Sequence, residues 1–272
     1  MRKYHGRMPL KIIFSVIIIF SSLKEAQAVM RTQPVEYRDG DTVLEGYLVY
    51  DDLIKAKVPG VLIVHEWSGI GDYVKRRAEQ IASLGYVAFA VDIYGKGIRP
   101  KNTKEAAVQA GIYRADRRLM RRRARAGLEE LKRRKIVDPA RIAAVGYCFG
   151  GGVALELARS GAGISGAVSF HGNLDTPRLQ DAKNIKAKIL VCHGADDPHV
   201  PWEQVKTFVN EMRIAGCDWQ MNIYGNAVHS FTNPDSGDDP KTGAAYNKEA
   251  DARSWEAMES FLNEVFAKGR LR

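Results

Sequence analysis

Six short apolar runs recur along this chain with helical patterns between them, and that alternation leaves few folds open. The runs are "GVLIVHE" (60–66), "VAFAVDIYG" (87–95), "IAAVGYC" (142–148), "GAVSFHG" (166–172), "AKILVCHG" (187–194) and "WQMNIYG" (219–225). Helical periodicity falls at about 73–84, 114–134, 151–160, 202–215 and 248–267. Strands that are apolar at nearly every position are buried on both faces. The pattern therefore predicts an α/β fold, a mostly parallel twisted sheet with helices on both faces. Ahead of it, "VEYRDGDTVLEGYLVYDD" alternates apolar and polar around Asp39-Gly40, which predicts an N-terminal antiparallel hairpin. No internal repeat or low-complexity linker divides the chain, so residues 29–272 read as a single domain. In such a sheet functional groups collect at the carboxyl ends of the strands.

Residues 1–28 have a different character. Arg2, Lys3, Arg7 and Lys11 precede a mostly apolar run, Ile12 to Leu23, and "AQA" (26–28) supplies small residues at positions that suit cleavage. That is the layout of a secretory signal peptide cut near Ala28, and the run is short for a membrane span. No cysteine follows it directly, so a lipid anchor is not expected. The expectation is an exported, periplasmic protein with no membrane association after cleavage. Five basic residues and one acidic residue leave with the segment, so the net charge of +9 becomes +5. Much of the remainder lies between Arg114 and Lys135, where eleven basic residues face three acidic ones. Met120, Ala124, Leu128 and Leu131 give that stretch one apolar helical face. No aromatic residues interleave with its charges, so it reads as a solvated face and not as a nucleic-acid site.

Three cysteines, 148, 192 and 217, are too few and odd in number for a disulfide scaffold. Cys192 sits in an apolar strand and Cys217 has no evident partner. Cys148 differs. It closes the strand "IAAVGYC", Gly150 to Gly152 follow, and Gly146-x-Cys148-x-Gly150 matches the nucleophile elbow G-x-S-x-G with cysteine at its centre. A sharp strand-to-helix turn needs glycines two positions either side, and the positive end of the helix it opens favours a thiolate.

A nucleophile of this kind needs a base and a group that orients the base. In the hydrolase order the acid comes next and the histidine last. "HGADDPHVP" (193–201) offers Asp196 and Asp197, and "GNAVHSF" (225–231) places His229 after the final strand. His193 and His199 come too early for the base, and His193 reads as a structural histidine at a strand end. Glu66, Tyr94 and His171 also fall at strand ends. His65-Glu66 is not a zinc motif, since no second histidine stands three residues on. No metal or cofactor is expected.

The combination of "VHEWSG", "DIYG", "GYCFGGG", "GADDPHVP" and "AVHSF" resembles the dienelactone hydrolase family of the α/β-hydrolase superfamily, over residues 35 to 267 and in family order. The resemblance favours Asp197 as the acid and implies a Cys148–His229–Asp197 triad. It implies that Glu66 meets the resting thiol and helps generate the thiolate. The backbone N–H groups of Trp67 and Phe149 would form the oxyanion hole. Two arginines bind the substrate carboxylate in the enzymes acting on dienelactone. Here those positions hold Lys96 and Asn233, which with Tyr94 and His171 are the candidate substrate-binding residues. Loss of the bidentate fork predicts little preference for anionic substrates. The expected activity is carboxymethylenebutenolidase-like hydrolysis of a small-molecule ester or lactone through a thioester. The alternatives are an exported thiol redox or sensor protein that cycles Cys148 through sulfenic acid, and a binding module that acts through the basic helix.

Overall fold

The computed structural model describes Met1 and residues 29–267. The signal-peptide expectation falls on residues 1–28, which apart from Met1 lie outside the described residues.

Eight strands form one sheet in the order β1-β2-β4-β3-β5-β6-β7-β8. The strands β1 (Met30–Asp39) and β2 (Thr42–Asp51) are the predicted hairpin, turning at Gly40, where φ is +58°. β2 pairs antiparallel with β4 (Val87–Val91). From there every pairing is parallel, through β3 (Val58–Val64), β5 (Val137–Tyr147), β6 (Gly166–Phe170), β7 (Lys188–Gly194) and β8 (Trp219–Tyr224). The continuous apolar runs have the cause predicted. In β3, Leu62 and Val64 join one core while Val61 and Ile63 join the other across the sheet.

Helices α1 (Asp72–Ser83) and α6 (Lys248–Phe266) cover the second face with Tyr73, Ala78, Ile81, Met258, Phe261 and Leu262. The first face is covered by α2 (Thr103–Ala115), α3 (Arg117–Lys132), α4 (Phe149–Arg159) and α5 (Trp202–Ala215). The periodicity does not mark α2, because it buries small residues, Ala106 and Ala110, and leaves Val108 and Ile112 exposed. Its start is nonetheless written locally. Asn102 caps the Glu105 N–H at 2.9 Å and the Glu105 carboxylate accepts from the Lys101 N–H, a reciprocal capping arrangement.

The single helix expected over 114–134 is broken at Asp116. That residue ends α2 and caps α3, its carboxylate accepting from the N–H groups of Arg118 and Leu119 at 3.0 Å. The break assigns Arg114 to the last turn of α2, away from the rest of the basic stretch. The solvated face is present, with Arg118, Arg122, Arg125, Arg133 and Lys135 exposed, but part of its charge is paired. Arg121 reaches Glu156 at 2.7 Å and Asp181 at 2.6 Å, Arg117 reaches Asp175, and the buried Arg123 reaches Asp39. Much of the positive charge is therefore answered within the fold. Among the described residues, no helix is long and apolar enough to cross a membrane.

Candidate active site

The turn from β5 into α4 has no room for side chains. A Cβ on Gly146 would lie 1.9 Å from the Gly150 carbonyl oxygen, and one on Gly150 would lie 2.2 Å from that of Val64. Cys148 between them has φ 53° and ψ −119°, in the region that disfavours L residues. Such a conformation costs on the order of 1–3 kcal/mol and persists only where its surroundings enforce it. Here the enforcement is visible. The Cys148 N–H donates to the Phe170 carbonyl at 3.0 Å and to His171 Nδ1 at 3.2 Å, and its carbonyl accepts from the Gly151 N–H. The strained turn holds the sulfur at the N-terminus of α4, above the carboxyl edge of the sheet.

His229 stands over the sulfur. Its Nε2 lies 3.0 Å from Cys148 Sγ, and its Nδ1–H donates to Asp197 Oδ2 at 2.8 Å. The other oxygen of Asp197 accepts from the N–H groups of His199 and Val200, which fixes the carboxylate on its loop. Of the two acids in this loop, Asp197 is the one with a hydrogen bond to the imidazole. Burial opposes charge on His229, but the facing sulfur and the Asp197 carboxylate outweigh it and push its pKa up to about 10. For Asp197 burial raises the pKa, and the hydrogen bond and charge of His229 win, leaving it lowered. The pair is arranged to carry positive charge on the ring and negative charge on the Asp197 carboxylate.

Glu66 is buried with them, but its described hydrogen bond runs to Asn233 Nδ2, at 2.9 Å, and not to the thiol. Burial raises its pKa to about 7, against the charges of His229 and Arg77 and the Asn233 bond. The sign follows from linkage. A carboxyl raised from 4.5 to about 7 contributes most below pH 4.5, and that contribution is lost as pH rises through 7. At about 1.4 kcal/mol per unit the cost at alkaline pH is about 3 kcal/mol. Glu66→Gln keeps an acceptor for Asn233 and removes the charge. Its melting temperature is therefore expected to exceed that of the wild type at pH 8, with the difference closing towards pH 4.5. Parallel melting curves at both pH values would contradict the burial argument.

None of the four candidate substrate-binding residues lines the cavity over the sulfur. Lys96 is exposed and forms ion pairs with Glu36 and Glu45 of the hairpin, which hold it off the site. Asn233 is buried as the partner of Glu66. His171 is fully buried behind the nucleophile. Since its Nδ1 accepts from Cys148, its Nε2–H donates to Thr232 Oγ1 at 2.7 Å, and Thr232 in turn meets the Tyr73 hydroxyl at 2.6 Å. Burial, then the charges of His229 and Arg77, hold its pKa well below the usual range, so it is a neutral brace. Tyr94 braces the opposite wall, its hydroxyl donating to the Trp67 carbonyl at 2.9 Å. His65 fixes the same turn through the Glu66 carbonyl, at 2.6 Å. Among the described residues, the N–H groups of Trp67 and Phe149 have no hydrogen-bond partner.

A cavity of about 380 Å³ opens over the sulfur, lined by Trp67, Arg114, Cys148, Asn173, His199, His229, Ser230, Ser236 and Ala244. Six of these, Arg114, Asn173, His199, Ser230, Ser236 and Ala244, are not among the site residues the sequence points to. They come from a helix end and loops that only the tertiary fold brings together. His193 lies buried against Trp202, and the exposed His199 packs its ring near His229, with ring centroids 6.1 and 5.1 Å apart. Cys192 and Cys217 are free thiols, the first fully buried beside Tyr224.

The comparisons agree with this geometry. The dienelactone hydrolase family model matches residues 44–266. A crystal structure of a dienelactone hydrolase-like promiscuous phosphotriesterase from metagenomic libraries is 41% identical with a TM-score of 0.84, covering 88% of this chain and 99% of that one. An uncharacterized protein of Caenorhabditis elegans is 39% identical over 152 residues, 53% of this chain and 93% of its own. The "probable 2-oxo-3-(5-oxofuran-2-ylidene)propanoate lactonase" of Bradyrhizobium sp is 27% identical over 66% of this chain and 75% of its own. With the family model spanning nearly all the described residues and the elbow in its expected place, the chain belongs to the dienelactone hydrolase family and is a hydrolase of carboxylic esters or lactones.

Proposed function

We propose that hydrolysis runs through a Cys148–His229–Asp197 triad and a thioester acyl-enzyme. The observation that carries this reading is the line of contacts from Cys148 Sγ to His229 Nε2 at 3.0 Å and from His229 Nδ1 to Asp197 Oδ2 at 2.8 Å, at the floor of an open cavity. The thiolate attacks the substrate carbonyl carbon, forming a C–S bond and moving the carbonyl electrons onto oxygen. The free N–H groups of Trp67 and Phe149 receive that oxyanion. Collapse breaks the C–O bond, and imidazolium His229 gives its proton to the departing alkoxide. Water then enters, His229 takes its proton, and attack on the thioester breaks the C–S bond and restores the thiolate. Asp197 keeps the ring in the Nδ1–H form throughout. Glu66 lies buried beside the site, its carboxyl held by Asn233.

The redox alternative needs a resolving cysteine or an external thiol, and Cys192 and Cys217, in β7 and beyond α5, contact Tyr224 and Ala182 and not Cys148. The likeness to a promiscuous phosphotriesterase makes a neutral aryl phosphotriester a second substrate class to assay. We also propose export on the pattern of residues 1–28, to be tested by immunoblotting of periplasmic and cytoplasmic fractions. For the activity, initial rates on aryl esters, lactones and an aryl phosphotriester are measured before and after iodoacetamide. The expected result is ester or lactone turnover that falls in proportion to alkylation of Cys148. Turnover that survives complete alkylation of Cys148 would contradict the thiol reading.

A further inference from the structure

We infer that Arg114 is the specificity-determining cation of this site, and that it selects esters or lactones carrying an oxyanion, carboxylate or phosphate, a few atoms from the scissile carbonyl. The inference rests on the hydrolase reading above and adds the substrate class. The cavity holding Cys148 and His229 is lined by one permanently charged side chain, Arg114, and by no carboxylate. The acids closest to the chemistry are committed elsewhere, Asp197 to His229 and Glu66 to Asn233.

Arg114 differs from its basic neighbours. Arg117, Arg121, Arg122, Arg123, Arg133 and Arg134 each pair with a carboxylate, whereas Arg114, like Arg118 and Arg125, has none within ion-pair distance among the described residues, and of these three only Arg114 lines the cavity. It is not loose, however. Its Nη2 donates to Asn173 Oδ1 at 2.7 Å, and its guanidinium lies 5.9 Å from the centre of the Phe149 ring, the first residue of the helix that carries the nucleophile. A neutral acceptor and an aromatic face orient the fork without neutralising it, so its remaining N–H groups stay free for a planar or tetrahedral oxyanion. The cap at Asp116, by ending α2 where it does, sets this arginine at the cavity and not on the flank of α3. The weak charge preference expected from Lys96 and Asn233 is thereby reversed, because neither lines the cavity and Arg114 does.

The test compares kcat/KM for a mono-aryl succinate, which is anionic, with its neutral methyl diester. Wild type is expected to favour the anion by about tenfold or more, the span of one charge-assisted hydrogen bond. Arg114→Gln should collapse the ratio towards one, and Arg114→Lys should restore part of it. Arg118→Gln, which removes an exposed charge of the same helix pair, should leave the ratio unchanged. Inorganic phosphate should compete with the anionic ester in wild type and lose that effect in Arg114→Gln. A second arm needs no hydrolysis, namely the ratio of Cys148 alkylation rates by iodoacetate and iodoacetamide, which should fall in Arg114→Gln. If neither ester is turned over, the hydrolase reading fails and the alkylation ratio alone decides the role of Arg114. Equal ratios in wild type and Arg114→Gln, in whichever arm is measurable, would overturn the inference.

Discussion

Cys148→Ala is expected to abolish ester turnover, and Cys148→Ser to leave about one part in a thousand or less. The alanine variant removes the only group at the tip of the elbow, and a triad without its nucleophile falls to what oxyanion donors and binding supply. The serine variant keeps the shape of the turn but not its chemistry. The surroundings of the sulfur are built around a charged pair, with His229 raised to about 10 by the facing sulfur and Asp197. A serine hydroxyl is a far weaker acid than a thiol, so it has to lose its proton to His229 in the transition state. Steady-state rates on one aryl ester check both variants. A serine enzyme with turnover near wild type would mean that a general-base mechanism suffices and that the ion pair is not used.

The second large effect separates His229 from His193. His229→Ala is expected to lower kcat by about 10³-fold or more, roughly 4 kcal/mol in the barrier, since it removes the proton carrier for both halves of the reaction. His193→Ala should cost little beyond stability, because His193 packs against Trp202 and makes none of the contacts to the sulfur. The pH dependence has a definite sign. A histidine raised from 6.5 to about 10 contributes stability that is fully present below pH 6.5 and is lost as pH rises through 10. Wild type should therefore lose melting temperature relative to His229→Ala across pH 7 to 10. The reverse ranking of the two alanine variants in kcat would overturn the assignment of the base.

What was legible in the chain was whatever short-range pattern controls. The run of α5 was readable as 202–215 because its apolar spacing and its end at Gly216, φ +67°, are both local. The elbow was readable because two glycines and a strand-to-helix change fall within five residues. The choice of His229 needed only chain order, and its contact with Cys148 follows from the shared carboxyl edge of β5 and the loop after β8. The cavity walls were not readable in this way. Arg114 was hidden inside a basic stretch whose break at Asp116 depends on a side-chain cap, and Asn173, His199 and Ser236 lie on loops whose approach is set by the whole sheet. Lys96 is a different case. Its position in "DIYGK" suits substrate, but Glu36 and Glu45, about fifty to sixty residues earlier, capture it from the hairpin.

The most direct test of the whole account is to mix enzyme with a slowly deacylated activated aryl ester, quench within the burst, and map the acyl group by mass spectrometry of the digested chain. The account predicts a burst of about one phenolate per enzyme, with the acyl mass on the peptide containing Cys148 and removed by hydroxylamine at neutral pH, as a thioester is. An acyl group on another side chain, or full turnover with no acyl-enzyme at all, would contradict it.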